Sequence, residues 1–147
     1  MRRFARCLIL VAPLLATGAA AQQPLAPHEW LFGSWTGGFF PPSDTEGPRC
    51  TAQPTVIFTR DLVLRTGILD PLYRQRVIET VATRQGGATF RFQPAGPTGR
   101  GLPSDIGFGC PGGPDTLDVQ QTGPDEITFP NCREMPAPFR RCGSPNR

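Results

Sequence analysis

The sequence contains no lysine, one histidine and one tyrosine among its 147 residues. These absences remove most catalytic and metal-binding options at once, because imidazole and amine groups supply many general bases, nucleophiles and metal ligands. The one histidine, His28, lies in a polar, proline-bearing segment, 22–28, that we expect to be a mobile lead-in. We therefore expect His28 to be exposed or to cap a helical turn, and we expect neither a Ser-His-Asp nor a Cys-His site.

Long apolar runs are also missing. The stretch from Cys7 to Ala21 spans about 15 residues, against the roughly 20 that a membrane helix needs. It follows three arginines and ends in a run of three alanines at 19–21, which together are typical of a secretory signal peptide. We expect residues 1–21 to be that signal and 22–147 to be a single exported domain, periplasmic or secreted, without a membrane span.

Removal of the signal peptide would also remove the net charge of +3 that the whole chain carries. Three of the 15 basic residues precede residue 22, which leaves 12 arginines against 12 acidic residues. A neutral domain has no bulk electrostatic reason to bind nucleic acid or an anionic membrane, so we expect neither partner.

Four cysteines remain in the exported part: Cys50, Cys110, Cys132 and Cys142. An even number of cysteines in an exported domain predicts two disulfides, with three possible connectivities. A zinc site is not expected, because there is no C-x-x-C pair and the histidine lies far from every cysteine in sequence.

The predicted strands are short and closely spaced, and most are rich in β-branched residues or alternate apolar with polar residues. Strands are predicted at 54–60, 62–65, 76–83, 88–93, 116–121 and 126–129. The segment 71–83 also has a fair helix start at Asp70-Pro71, but its β-branched residues and the Gly86-Gly87 turn favour a strand. Between two strands lies a long loop, 94–114, rich in glycine and proline, which is expected to be functional or disordered. Its candidate rim or ligand-contacting residues are Arg100, Leu102 and Phe108.

About seven or eight strands with little helix predict an all-β antiparallel up-and-down barrel, with a β-sandwich as the alternative. Gly33-Ser34-Trp35 resembles the G-x-W signature of lipocalins and their calycin relatives, and a helical turn is predicted before it at 27–31. In that family the tryptophan closes one end of the barrel, often against an arginine of the final strand, a role that Arg140 or Arg141 fits. The chain looks most like the compact bacterial calycin-type domains, which include periplasmic protease inhibitors.

This strand order places the loops 42–52 and 94–114 and the end of 126–131 at one rim. Three cysteines then cluster there, and Cys142 follows Cys132 closely. We therefore favour the pairs Cys132–Cys142 and Cys50–Cys110, the second of which closes the longer loop.

Catalytic and cofactor motifs are weak. Residues 107–112 match G-x-G-x-x-G, but Pro111 and Pro114 prevent the helix start that a dinucleotide site needs, so we expect no cofactor. A pair of carboxylates would suffice for glycoside hydrolysis, yet the candidates lie at strand ends or on alternating faces, where solvated surface is usual. They are Asp61, Glu79, Asp118 and Glu126. We therefore expect no catalytic residue and no metal site, and we do not expect the protein to be an enzyme.

The candidate inward residues are bulky: Val56, Phe58, Leu64, Val77, Phe90 and Phe92. Because a small barrel is just wide enough to fill with side chains or to hold one small ligand, this favours a filled interior and a function on the rim. The resulting expectation is a monomeric, non-catalytic binding domain for a small apolar ligand or an exported protein. The alternatives are a protease inhibitor that enters a cleft through residues 22–28, and a structural envelope protein.

Overall fold

The computed structural model describes residues 24–46, 50, 53–66, 74–94, 108 and 110–143. A single 3-10 turn, Glu29–Leu31, precedes the strands of this described part. The strands are β1 (Gly33–Gly37), β2 (Thr55–Phe58), β3 (Leu62–Arg65), β4 (Arg74–Arg84), β5 (Gly87–Phe92), β6 (Thr116–Gly123), β7 (Glu126–Thr128) and β8 (Phe139–Arg141). The predicted signal peptide, 1–21, lies outside the described residues.

The eight strands form a closed barrel in which each strand pairs with its sequence neighbours. Every pair is antiparallel, and β8 closes the barrel against β1, with Trp35 opposite Arg141 and Gly37 opposite Phe139. The predicted small calycin-like up-and-down barrel is therefore confirmed, and the alternative β-sandwich is excluded.

The ambiguous segment is a strand over its described part. β4 begins at Arg74 and runs for 11 residues to Arg84. A bulge interrupts its pairing with β5 between Ile78 and Thr80. The predicted hairpin follows, with Gly86 at a φ of 71° in its tight turn, a backbone conformation that favours glycine. The helix alternative is thus wrong for 74–83, and residues 71–73 lie outside the description.

The antiparallel order gives the barrel two unlike ends. The connections β1–β2, β3–β4, β5–β6 and β7–β8 leave from one end, which we call the long-loop rim. The 3-10 turn and the connections β2–β3, β4–β5 and β6–β7 lie at the other end, the short-turn rim. The strand order therefore makes the connections that contain the predicted loops leave from one rim, as the sequence indicated. The described residues at 45–46 and 50 nevertheless reach the short-turn rim, where the carbonyl oxygen of Thr45 accepts a hydrogen bond from Gly143.

The disulfides do not follow the pairing that we favoured from the sequence. Cys50 is bonded to Cys142, at a sequence separation of 92, and Cys110 to Cys132, at a separation of 22. The expectation was wrong because β8 lies between Cys132 and Cys142 and carries Cys142 to the short-turn rim. There the backbone N–H of Cys142 donates to the carbonyl oxygen of Ser34.

Apolar side chains fill the barrel. The largest fully buried ones are Trp35, Phe58, Phe90, Phe92, Phe108, Phe139, Leu31, Leu117 and Ile127. The alternation predicted for β3 and β4 was wrong, because Val63 and Arg65 are the buried residues of β3, whereas Leu64 is partly exposed and Val77 is 39% exposed. The other four predicted inward residues are buried.

Candidate functional site

The short-turn rim is closed by the tryptophan of the G-x-W motif. Trp35 is fully buried, and its indole Nε1 donates to the carbonyl oxygen of Leu31 at 2.7 Å. The guanidinium of Arg141 lies 4.1 Å from the centre of the indole ring and donates to the carbonyl oxygens of Phe32 and Trp30. Arg141, and not Arg140, therefore takes the position that the resemblance to calycins implied.

His28 completes this closure. It is 2% exposed, its Nε2 donates to the carbonyl oxygen of Thr59 at 2.9 Å, and its ring meets those of Phe32 and Phe90 edge-on. The expectation that His28 is exposed or capping was wrong, since it makes no side-chain cap and is a core residue. The sequence misled because a lone histidine beside proline in a polar lead-in carries no burial signal.

The long-loop rim is plugged by Phe108. Its ring is 1% exposed and lies 5.5 Å from that of Phe92 and 6.3 Å from that of Phe129. The disulfide from Cys110 to Cys132 ties the chain immediately beyond it. Phe108 thus lies at the predicted rim but points inwards, while the other two candidates, Arg100 and Leu102, fall outside the described residues.

Two buried arginines lie at the same rim as this plug. Arg65 of β3 is opposite Val56 of β2, and Arg76 of β4 is opposite Val63 of β3. Because both valines point into the barrel, both arginines point inwards too. The guanidinium of Arg76, 2% exposed, is satisfied by Asp115 and by two backbone carbonyl oxygens. Arg65 binds Glu134 at 2.7 Å, and its guanidinium lies over the ring of Phe108. Alternation along β3 from Val63 reaches Arg65 but not Arg76, which lies on another strand, and charged residues at inward positions run against the usual pattern.

The outer face of β1 is covered by the chain that follows it. We call residues 38–46, 50 and 53–54 the strap. Thr36 and Thr55 are opposite each other on the outer face, yet they are 0% and 1% exposed because the strap lies over them. The Cys50–Cys142 disulfide and a hydrogen bond from the backbone N–H of Gly143 to the carbonyl oxygen of Thr45 fix the strap to the end of β8.

One aromatic ring of the strap faces solvent. Phe40 is 68% exposed, whereas no other phenylalanine of the described residues is exposed. The chain on its N-terminal side is held, because Gly38 exchanges backbone hydrogen bonds with the β7–β8 connection. Gly38 must also be glycine, since a Cβ there would lie 2.3 Å from the ring of Phe139. A groove of about 360 Å³, lined by Gly37, Phe40, Pro41, Ser43, Gln53 and Pro54, lies beside the ring.

Two of the four carboxylates considered from the sequence, Asp118 and Glu126, are paired with arginines, while Asp61 and Glu79 line a groove beside β4. Asp118 accepts hydrogen bonds from Thr89 and from Arg84 on the outer face of the barrel. Glu126 accepts from Thr122 and lies 3.5 Å from the guanidinium of Arg140. Both are therefore engaged in surface ion pairs with arginine, an arrangement that is usual for solvated faces.

In comparisons with known proteins, no protein-family model, no curated protein and no solved structure matches the chain. Within the described ranges, no three His, Cys, Asp or Glu side chains are grouped as a metal site would require. The same part of the chain has no helix long and apolar enough to span a membrane. The function therefore has to be argued from the barrel itself.

Proposed function

We propose that this protein is an exported, non-catalytic binding domain that meets another protein through its outer surface and carries no small molecule inside. The observation that carries the proposal is the filled interior. Phe58, Phe90 and Phe92 occupy the space where a barrel of this size would hold a ligand. Trp35 and Arg141 close one end of the barrel, and Phe108 closes the other.

Export is supported by the cysteines. All four described cysteines are bonded in two disulfides, which form and persist in oxidising compartments. Together with the basic and apolar residues at the start of the chain, they favour the periplasm or the extracellular space.

The strap is the surface that we assign to the partner. Phe40 presents a solvent-facing aromatic ring, so we expect the partner to supply the pocket that receives it. Aromatic side chains that enter such a pocket commonly supply most of the binding energy at protein interfaces. Because the strap is fastened by a disulfide, little conformational freedom is lost on binding.

Native mass spectrometry of the exported protein, purified without refolding, tests the proposal. A filled barrel predicts the mass of the chain alone.

A protease inhibitor is the second candidate, and the pairing of Phe40 with Pro41 favours it. An exposed aromatic residue suits the specificity pocket of a chymotrypsin-like protease, and a proline after it resists cleavage because its ring nitrogen is fully substituted. The lead-in that we first expected to enter a cleft is less suited, since Arg60 donates to the carbonyl oxygen of Pro24 and His28 is buried.

Titration against chymotrypsin tests this second candidate. We expect inhibition by the wild-type protein and a rise of roughly tenfold or more in the inhibition constant for Phe40→Ala, because the buried anchor is lost. Leu25→Ala is the matched control, since Leu25 is 79% exposed but lies at the opposite rim, and it should inhibit as the wild type does. Absence of inhibition, or an equal loss in both variants, would rule out the strap as an inhibitory loop.

A further inference from the structure

β4 is much longer than the strand beside it. β4 has 11 residues and β3 only four. Their register ends at Leu62 opposite Val77, and the N–H of Ile78 still donates to the carbonyl oxygen of Asp61. Beyond the bulge, the residues from Thr80 to Arg84 pair with β5 alone. Among the residues that the structure describes, this length of β4 therefore has no partner strand on one side and is an open sheet edge.

The hairpin register shows which backbone groups the edge presents. Arg84 and Gly87 flank the two-residue turn and form a hydrogen-bonded pair, so alternate residues back along β4 also bond to β5. Val81 and Thr83 lie between them, and their N–H and C=O groups point away from β5. Neither has a backbone partner across this edge among the described residues.

The open edge is unprotected over residues 80–83, between the bulge that precedes it and Arg84 at its end. Exposed edges are commonly guarded by charged side chains or proline, and residues 80–83 are Thr-Val-Ala-Thr. A groove of about 310 Å³ adjoins the edge, between β4 on one side and the apolar segment Pro24–Pro27 on the other, and the charged residues Arg60, Asp61 and Glu79 also line it. Leu25 in that segment is 79% exposed, and Val81 faces the same side.

The outer face of the sheet beside this edge carries positively charged side chains. Thr80 is opposite Arg91, and Arg91 is exposed and makes no ion pair with any residue in the part of the chain described. Arg84 lies on this outer face too and forms an ion pair with Asp118. A second copy of this edge would bring its own Arg84 towards Arg91, which is unfavourable. An acidic side chain would instead be stabilised there.

We propose that the edge of β4 from Thr80 to Arg84 binds an extended segment of another protein by strand addition. The segment pairs its backbone with Val81 and Thr83, directs apolar side chains to the groove beside Leu25, and directs acidic side chains to Arg91. Backbone pairing supplies affinity in this mode and the alternating side chains supply specificity. This surface lies at the rim opposite Phe40, so its failure and the failure of the contact through Phe40 are separable.

The probe is the peptide acetyl-Val-Glu-Val-Glu-Val-amide, titrated into the whole protein and followed by NMR. We expect slowed hydrogen exchange of the Val81 and Thr83 amides on peptide addition. Thr83→Pro removes the outward N–H without removing a bond to β5, and should weaken binding about fivefold or more, the effect of one hydrogen bond. Thr83→Ala, which keeps the N–H, should bind within about twofold of wild type, because its backbone donor is unchanged.

Two controls decide the interpretation. The same peptide N-methylated at alternate residues cannot pair and should not bind, and Arg91→Glu should reverse the preference towards acetyl-Val-Lys-Val-Lys-Val-amide. If Thr83→Pro fails to fold, the exchange rates of the wild-type amides carry the test alone. Binding of the N-methylated peptide, no protection at Val81 and Thr83, or protection that grows with protein concentration without peptide would overturn the proposal.

Discussion

Replacing Cys50 and Cys142 by alanine is expected to lower the free energy of unfolding by about 4.5 kcal/mol. The disulfide spans a sequence separation of 92, and on the chain-entropy relation a closed loop of that length stabilises the fold by this amount. It also fastens the strap over Thr36 and Thr55, which would gain access to water when the strap is released. Urea unfolding of the variant beside the wild type measures the difference.

The matched control is the double variant Cys110→Ala and Cys132→Ala. Its disulfide spans a separation of 22, so the same relation gives a smaller loss of about 3.5 kcal/mol. An equal or larger loss in this control would show that loop length does not govern the stabilisation.

Trypsin can check the connectivity itself, because the chain lacks lysine and is cut only after arginine. The observed pairing predicts peptide 50–60 linked to 142–147, and peptide 101–133 closed by an internal disulfide. The pairing first favoured from the sequence would link all three peptides into one species, so a single mass separates the two connectivities.

Substituting Arg141 by methionine is expected to cost about 3 kcal/mol, because the guanidinium makes several contacts that methionine cannot. It stacks on the indole of Trp35 and donates to the carbonyl oxygens of Trp30 and Phe32, which would lose their donor. Thermal unfolding followed by tryptophan fluorescence measures both the stability and the environment of the indole.

Arg140→Met is the control that the chain itself offers. Arg140 is 60% exposed and its ion pair with Glu126 measures 3.5 Å, so its loss should cost no more than about 0.5 kcal/mol. Similar losses in the two variants would mean that the closure of the barrel by Arg141 is not what stabilises this rim.

The fold could be predicted from the sequence because its strands carry their own signals. Alternating and β-branched residues identify β2, β4, β5 and β6, and the Gly33-Ser34-Trp35 motif locates β1. The choice between Arg140 and Arg141 could not be made, since it depends on the register of β8 against β1, and a strand of three residues has no periodicity to read.

The disulfide connectivity and the burial of Arg65 and Arg76 could not be predicted from the sequence, for related reasons. A connectivity depends on the end of the barrel at which each cysteine emerges, and one short strand moved Cys142 to the other end. Arg65 and Arg76 are inward because they share faces with buried valines, and their partners, Glu134 and Asp115, lie in distant connections. Such contacts exist only after the barrel has closed.

The central claim is that the barrel interior is occupied by the protein's own side chains, and native mass spectrometry of the exported protein, purified without refolding, tests it most directly. The predicted result is the mass of residues 22–147 less the four hydrogens lost in two disulfides, unchanged after incubation with retinol or lauric acid. A retained adduct of a few hundred daltons, or one-to-one uptake of either probe, would contradict the account and identify the protein as a carrier of small molecules.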